Sequence, residues 1–595
     1  MAHHHHIMPT SDGMILTNFV CLLALCIILH SRGEAFVPST FTSARQYCSS
    51  SICILPSPAA AKPTSSTLHT TPSTTYDMIV IGGGSAGLTA AKFASTFGKS
   101  VCLIESSRVG GDCTWTGCIP SKTMLAAAKR VHTWRRMNER YGNGKDDNNN
   151  SYDASLHEML RDIKRDIDEN RQRIYDEDDS PEVLASLGIQ VVHGRAFFHD
   201  AKTVNVTKNE WNDEDSDGST HQLHAKYGIV IASGATPSTT LLENIAGLDT
   251  IPYWTYENVW DEFFLAVEKR NRKRDTEKLM KVIVVGGGPI GCELSQAMSR
   301  LGCSVVLVSK SPRLLPDADV EASMELQRVL ENEGIDVMCN QAVVSVTTES
   351  SSKESGDGST IKVSLSSQES ILGDHILVST GRVPNINNMG LENIGLQIND
   401  DTNGGGICVD SKLQTTVKGI FSAGDCTGDR QFTHYAGFQG AIAARNILLP
   451  LKDVGVLSDV PSTTFTDPEV SSVGLTEPAA IDQYGESDVS ISFRKLSKID
   501  RAICEGVDSN GFIKIVYNRR TKQILGASIV SPSAGELISE IAVARDAHLP
   551  FDQLATVMHS YPSYSIALQQ MAAEVYYDKL KKNRVYYDVL KKLGL

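Results

Sequence analysis

The chain lacks three things that would place it quickly. It has no excess of positive charge: 56 Lys and Arg against 70 Asp and Glu leave a net charge of -14, so nucleic acid, whose binding needs a basic face, is not expected as a partner. The basic run Lys269 to Arg274 is flanked by Glu268, Asp275 and Glu277 and reads as a solvated surface. It has few cysteines, 13 in 595 residues, which is too sparse for a disulfide-stapled scaffold. It also has no long hydrophobic run. Met14 to Leu29 is nearly continuous in apolar residues but short for a membrane span, so no stable span is expected in the mature protein. What remains is an ordinary soluble composition, 41% hydrophobic and 21% charged, with length for about three or four domains.

Met14 to Leu29 fits a signal-peptide core. Ala35 to Thr75 follows, rich in Ser, Thr and Pro and free of Asp and Glu, which is transit-peptide composition. The junction Gly33-Glu-Ala-Phe36-Val-Pro resembles that of bipartite plastid presequences. Residues 1–75 are therefore expected to be a disordered targeting segment directing the chain to a plastid, with the secretory pathway or the mitochondrion as alternatives. His3 to His6 read as a tag fragment or a chance tract, and no metal site is expected.

Two stretches share one pattern. Thr75 to Ile81 is a strand-like run ending in Gly82-Gly-Gly84-Ser-Ala-Gly87, then an Ala-rich helix from Leu88 to Phe97 and a second strand, Val101 to Glu105. Val282 to Val285 runs into Gly286-Gly-Gly288-Pro-Ile-Gly291, a helix from Cys292 to Leu301, and a strand from Val305 to Val308. Each is the start of a Rossmann unit. The first glycine permits the turn, the second lets backbone approach a pyrophosphate, and the third lets helix and strand pack closely, with the helix N-terminus facing the phosphates. Polar stretches at Gly142 to Ser155, Lys208 to His221 and Thr348 to Thr360 read as surface loops. From about Val460, strands (Phe512 to Tyr517, Ile524 to Val530) and a helix (Gly535 to Ala547) carry no nucleotide motif and suggest a separate α+β unit.

Cys21, Cys26, Cys48 and Cys53 lie in the expected targeting segment, and outside it only one pair of cysteines is close and chemically suggestive: Cys113-Thr-Trp-Thr-Gly-Cys118. Cys118-Ile-Pro120-Ser-Lys122 reads as a helix start with Pro in its first turn, where the positive end of the dipole favours a thiolate. The gap is short enough to close as a disulfide. A redox couple, a structural disulfide and a zinc site all remain open, although no second ligand pair for zinc is evident. Cys102, Cys292, Cys303, Cys339, Cys408, Cys426 and Cys504 are isolated and expected to be small core residues.

The redox stretch Gly110-Gly111-Asp112-Cys113-Thr-Trp-Thr-Gly-Cys118-Ile-Pro-Ser-Lys122 closely resembles that of class I pyridine nucleotide-disulfide oxidoreductases, which include dihydrolipoamide dehydrogenase, glutathione reductase and mercuric reductase. Ile231-Ala-Ser-Gly234, Ser379-Thr-Gly381-Arg-Val-Pro-Asn385, Gly419-Ile-Phe-Ser-Ala-Gly424-Asp425 and Phe465-Thr-Asp-Pro-Glu-Val-Ser-Ser-Val-Gly474 resemble further family motifs. The resemblance implies an α/β fold with two Rossmann-type domains and a C-terminal α+β dimerisation domain. The implied layout is an FAD domain over 76–245, an NAD(P) domain over 246–380, a return to the FAD and central part over 381–458, and a dimerisation domain with tail over 459–595. It implies a homodimer. Gly82, Gly84, Gly87, Glu105, Gly111, Asp112, Gly234, Gly424 and Asp425 would contact FAD, with Glu105 on the adenosine ribose. Gly286, Gly288, Gly291 and Gly381 would contact the nicotinamide nucleotide. Cys118 would be the sulfur beside the flavin, Cys113 the interchange thiol that meets the acceptor, and Lys122 and Glu293 a pair beside the flavin. Hydride would pass from nicotinamide to flavin and electrons on to the cysteines, or in reverse.

Two positions speak to specificity. Glu105 stands eighteen positions after Gly87, and Ser309 eighteen after Gly291, followed by Lys310 and Arg313. A carboxylate repels a 2′-phosphate, whereas serine and two cations bind it, so NADPH is expected over NADH. The family's C-terminal acid/base histidine and its glutamate, five residues apart, are here Tyr561 and Ile566. A phenol with an ordinary pKa of about 10 shuttles protons poorly at neutral pH; His559 is a candidate substitute. Mercuric reductases also use tyrosine in this region, but add a terminal cysteine pair that this sequence lacks. The leading expectation is an NAD(P)H oxidoreductase serving a small acceptor (a disulfide, a quinone or a soft metal ion). The alternatives are a dihydrolipoamide dehydrogenase or glutathione-type reductase, and a non-catalytic redox-sensing flavoprotein, against which the intact redox motif argues.

Overall fold

The computed structural model describes residues 74–141, 149–207, 220–238, 245–272, 280–349, 360–399, 405–507 and 509–593. The expected targeting segment lies outside these, apart from its last two residues, as do His3 to His6, most of the three expected polar loops and the end of the basic run.

The first unit opens with β1 (Thr75–Ile81), α1 (Ser85–Thr96) and β2 (Val101–Glu105). Met78, Ile79 and Val80 are fully buried, as a parallel strand covered on both faces requires. Next come α2 (Gly111–Trp115), α3 (Cys118–Tyr141), α4 (Asn149–Ile174), a π-helical turn over Tyr175–Asp179, and α5 (Pro181–Ser186). The last seven residues of the loop expected to end at Ser155 are already helix. Asn and Asp suit a helix start, and Leu160, Ile163 and Ile167 then form a buried stripe. β3 (Ile189–His193), β4 (Arg195–Asp200), β5 (Thr203–Thr207) and β6 (Thr220–Ile231) complete a sheet in the order β3-β2-β1-β6-β5-β4, parallel through its first four strands and antiparallel in the last two.

The chain then leaves through β7 (Ala235–Pro237). After α6 (Val259–Arg272) it builds the second fingerprint: β8 (Lys281–Val285), α7 (Pro289–Arg300) and β9 (Ser304–Val308), then α8 (Val320–Asn332) and β10 (Asp336–Met338). A three-stranded antiparallel sheet of β11 (Val343–Glu349), β12 (Thr360–Leu365) and β13 (Ser370–Gly373) precedes β14 (His375–Val378), which closes the parallel order β10-β9-β8-β14. β15 (Arg382–Pro384) pairs antiparallel with β7. β16 (Ile420–Ser422) then rejoins the first sheet beside β6, and α9 (Thr433–Leu448) packs on α1. That packing is close enough that a Cβ on Gly440 would sit 2.0 Å from the carbonyl oxygen of Ala86.

The last unit is an antiparallel sheet in the order β17-β18-β21-β20-β19, from β17 (Ser462–Thr464), β18 (Glu469–Gly474), β19 (Val489–Lys495), β20 (Phe512–Asn518) and β21 (Ile524–Ser531). Its helices are α10 (Glu477–Tyr484), α11 (Asp500–Glu505), α12 (Ala534–Asp546), α13 (Ile566–Lys582) and α14 (Arg584–Lys592). Ile513, Ile529, Ile541 and Leu568 form its fully buried centre. Lys514, with 2% of its side chain exposed, joins this unit to the second fingerprint unit through Asp319 at 3.1 Å and Glu321 at 2.9 Å, and also meets Glu477 at 2.6 Å. Of the isolated cysteines, Cys102, Cys292, Cys303 and Cys426 are core residues as expected. Cys339 and Cys408 are only half-buried and Cys504 is exposed, because the short helix α11 lies at the surface. No helix among the described residues is long and apolar enough to cross a membrane.

Candidate active site

Both glycine fingerprints form the expected turns. Gly82 has φ 104°, and a Cβ there would lie 2.2 Å from the carbonyl oxygen of Ala232; one on Gly87 would meet that of Gly82 at 1.8 Å. The second turn repeats this, with contacts of 2.4 Å at Gly286 and 1.9 Å at Gly291. The middle glycines differ: a Cβ on Gly288 would meet nothing within 4 Å, and one on Gly84 only the Cα of Gly111 at 3.9 Å. Each turn is thus packed on its protein side and open at the helix N-terminus, a cradle that fits a dinucleotide pyrophosphate.

Glu105 ends β2 nine-tenths buried. Its Oε2 accepts from the Gly83 N–H at 2.6 Å and its Oε1 from the Ser107 N–H at 2.7 Å, so the carboxylate is held at the rim of the first cradle, where a ribose would lie. Ser309 occupies the corresponding place in the second unit, 3% exposed, its Oγ 2.6 Å from where a Cβ on Gly287 would be. Lys310 is exposed. Arg313 donates to the carbonyl oxygens of Pro316 at 2.5 Å and Ala318 at 3.1 Å, so part of its guanidinium is engaged within its own loop.

The redox stretch touches the first cradle directly, since a Cβ on Gly111 would lie 2.7 Å from the Cα of Gly84. Cys113 sits in α2 and Cys118 opens α3; both are half-buried thiols. The two titrate as a pair. Cys118 is pulled down to about 6, first by a hydrogen bond from Cys113, then by one from Thr433 and by the Lys122 charge, against the opposing effect of burial. Cys113 is pushed well above the ordinary thiol range by the same hydrogen bond and by burial. Thr433, at the start of α9, lies 3.1 Å from Cys118 Sγ. Nothing in the sequence singled it out, because it comes from an element 315 positions away.

One turn into α3, Lys122 Nζ reaches Glu293 Oε2 of α7 at 3.0 Å. Glu293 is 5% exposed, and its other oxygen accepts from the Phe465 N–H at 2.8 Å. Lys122 Nζ lies 4.5 Å from the centre of the Phe465 ring, within cation–π range. The first unit, the second and the C-terminal unit therefore meet at this ammonium.

A second junction centres on Arg382. Its guanidinium bonds Asp112 Oδ2 and meets Asp425 Oδ2 at 2.7 Å, and its Nε donates to Tyr256 Oη at 3.2 Å. Burial raises the Asp425 carboxyl despite the pull of Arg382, and burial likewise raises Tyr256 and Glu257. Asp112 and Asp425 were expected at the site; Arg382 and Tyr256 were not, although Arg382 stands in the Gly381-Arg-Val-Pro stretch. The loops are shaped by Gly234, Gly381 and Gly424, with φ of 72°, 129° and 80°.

His559 and Tyr561 hydrogen-bond to partners outside both junctions. His559 Nδ1 faces the Val557 carbonyl oxygen at 2.8 Å and Nε2 faces Glu540 Oε1 at 2.7 Å, so both ring nitrogens are engaged. Tyr561 is 68% exposed, and its hydroxyl donates to Asp500 Oδ2 at 2.9 Å, which raises the phenol further. Ile566 begins α13. Among the described residues, no group of three or more His, Cys, Asp or Glu side chains is arranged to hold a metal ion.

The family model for pyridine nucleotide-disulphide oxidoreductases matches residues 76–440, and the model for the dimerisation domain of the same family matches residues 460–572. A dihydrolipoyl dehydrogenase of Corynebacterium glutamicum is 28% identical over 84% of this chain and 97% of that protein. A mercuric reductase of Lysinibacillus sphaericus is 31% identical over 84% of this chain and 82% of that protein. Among solved structures, LpdA of Mycobacterium tuberculosis superposes with a TM-score of 0.68 at 28% identity, covering 84% of this chain and 99% of that one. An HOCl-induced flavoprotein disulfide reductase of Escherichia coli, 24% identical, shares the fold with a TM-score of 0.67 over 84% of this chain and 99% of that one. With two open cradles, a paired thiol couple and a dimerisation domain in one chain, this protein belongs to the class I pyridine nucleotide-disulfide oxidoreductases, enzymes that bind FAD and a pyridine nucleotide.

Proposed function

We propose that the chain moves electrons from NADPH to the Cys113–Cys118 couple and on to a small acceptor that needs no protonated leaving thiol, such as a quinone or a soft metal ion. FAD, when bound, supplies the two-electron relay between nicotinamide and the cysteines. The residues around it have distinct tasks. Glu105 and the Gly82 to Gly87 turn would hold its adenosine half, and Asp425 the region between ribityl chain and phosphates. Lys122, steadied by Glu293, would place a positive charge where negative charge accumulates on reduction. NADPH gives up a hydride, two electrons and one proton, and these convert the disulfide into a Cys113 thiol and a Cys118 thiolate with no further proton taken up. The two electrons then leave to the acceptor as the disulfide re-forms.

One observation carries the choice of acceptor: the position of the family's acid/base histidine holds Tyr561, and His559 has both nitrogens bonded elsewhere. Thiol–disulfide exchange needs a proton for the leaving thiolate and a base for the attacking thiol, help worth about 10²- to 10⁴-fold. We take the working form to be a homodimer, in which Tyr561 would face the partner's thiols, and the location to be a plastid.

The test is steady-state NADPH oxidation with a panel of acceptors. Glutathione disulfide and lipoamide should turn over more slowly than quinones or Hg(II) by about that factor, while flavin reduction by NADPH stays fast. Rapid lipoamide turnover would return the chain to the dihydrolipoamide dehydrogenases.

A further inference from the structure

We propose that the C-terminal helix α14 seats this enzyme on an anionic lipid surface. The dimerisation-domain match ends at residue 572, but the chain continues through the end of α13 into α14, Arg584–Lys592. Two features set this stretch apart. From Lys579 to Lys592 it carries Lys579, Lys581, Lys582, Arg584, Lys591 and Lys592 against a single acid, Asp588, in a chain whose net charge is -14. It also presents apolar side chains to solvent: Val585 is 77% exposed, Val589 49% and Leu593 69%.

Val585 and Val589 are spaced four apart on one face of the helix and Leu593 continues that row just past its end, with Arg584 and Lys591 on the opposite side and Asp588 and Lys592 flanking the stripe. Every residue from Lys581 to Leu593 whose side chain is described is exposed. Among the described side chains of this helix, none is buried. A nine-residue helix is marginal alone in water, and an apolar stripe bordered by lysines and arginine suits an interface of acyl chains and acidic headgroups. The charge favours lipid over an apolar protein groove, since cations near an anionic surface each add attraction. The acidity of the rest of the chain does not cancel this, because screening confines it to about 10 Å at ordinary ionic strength.

The experiment uses the full-length holoenzyme, co-sedimented with vesicles of mixed phosphatidylglycerol and phosphatidylcholine and with vesicles of phosphatidylcholine alone. Binding should be confined to the anionic vesicles and should fall as salt rises from about 0.05 to about 0.5 M. The double variant Val585→Asp/Val589→Asp should bind about ten-fold less, and Lys591→Glu/Lys592→Glu should also bind less, both with unchanged flavin content and NADPH oxidation. All these proteins share the apolar run Met14–Leu29, so a difference between them reports on α14. Equal binding by parent and variants, or no binding by the parent, overturns the proposal. So does dissociation of an oligomer by Val585→Asp/Val589→Asp without vesicle binding by the parent, since a second copy of the chain would then cover the stripe.

Discussion

Lys122 and Glu293 form an ion pair 3.0 Å long between the redox helix and the second fingerprint helix, closed from the third side by Phe465. The carboxylate is nearly buried while the ammonium is about two-fifths exposed, so the acid has the greater need of its partner. Lys122→Met should slow reduction of bound flavin by NADPH about ten-fold or more, the effect of losing roughly 1.4 kcal/mol of charge stabilisation at the reacting centre. Glu293→Gln keeps an acceptor for the Phe465 N–H and should cost less. Stopped-flow reduction without oxygen measures both; an unchanged rate in Lys122→Met would reduce the pair to a structural role.

The thiol pair should show its asymmetry in a titration. With Cys118 lowered to about 6 and Cys113 raised, the two-electron-reduced enzyme should carry a thiolate at Cys118 above that pH and lose it below. The long-wavelength thiolate-to-flavin absorption should therefore grow as pH rises through about 6. Removing the hydrogen bond in Cys113→Ala should move the midpoint upward, and Thr433→Val should move it upward less. Cys118→Ser should abolish the band at every pH.

Nucleotide choice should turn on the rim of the second cradle. Glu105 and Ser309 occupy matching places, one carboxylate and one hydroxyl, so Ser309→Glu should cut kcat/KM for NADPH about ten-fold or more and leave NADH less affected. Because Arg313 spends part of its guanidinium on carbonyl oxygens, Lys310→Ala should raise the KM for NADPH more than Arg313→Ala does. A native preference for NADH would overturn this assignment.

Restoring the acid/base pair should restore the chemistry. Tyr561→His combined with Ile566→Glu should raise lipoamide or glutathione disulfide turnover by about 10- to 100-fold and leave quinone turnover nearly unchanged. His559→Ala should not slow either acceptor by more than a few-fold. Loss of disulfide turnover in His559→Ala would make that histidine the missing base.

The buried cation Lys514 sets a stability prediction. Lys514→Met leaves Asp319, 2% exposed on its side chain, without its counter-charge, and should destabilise the chain by about 3 kcal/mol. Thermal unfolding of the holoenzyme measures this, and Lys514→Met/Asp319→Leu should recover part of the loss.

The local parts of this fold were legible because they are local. Both fingerprints, the strands feeding them and the helix starting at Cys118 announce themselves within a dozen residues, and the Lys122–Glu293 pair followed from the family resemblance. The contacts that need three distant segments were not legible. Thr433, Phe465, Arg382 and Tyr256 carry no spacing relation to the residues they touch, and only the crossing of the chain between sheets brings them together. The loop expected over Gly142 to Ser155 was drawn too long because α4 opens with Asn149, Asn150 and Ser151, which suit both a loop and a helix start.

The pairing of β7 with β15 gives the second fingerprint unit two tethers that lie side by side. A domain inserted on separated tethers can twist as well as tilt. One leaving and returning through strands laddered together, Arg382 opposite Pro237 and Pro384 opposite Ala235, is held like a page by its spine, and the Lys122–Glu293 and Lys514–Asp319 pairs fasten it away from that line. The same arrangement orders synthesis: β16 enters the first sheet only after the whole inserted unit has left the ribosome, so the unit that arrives second along the chain is free to finish folding before the one that began first.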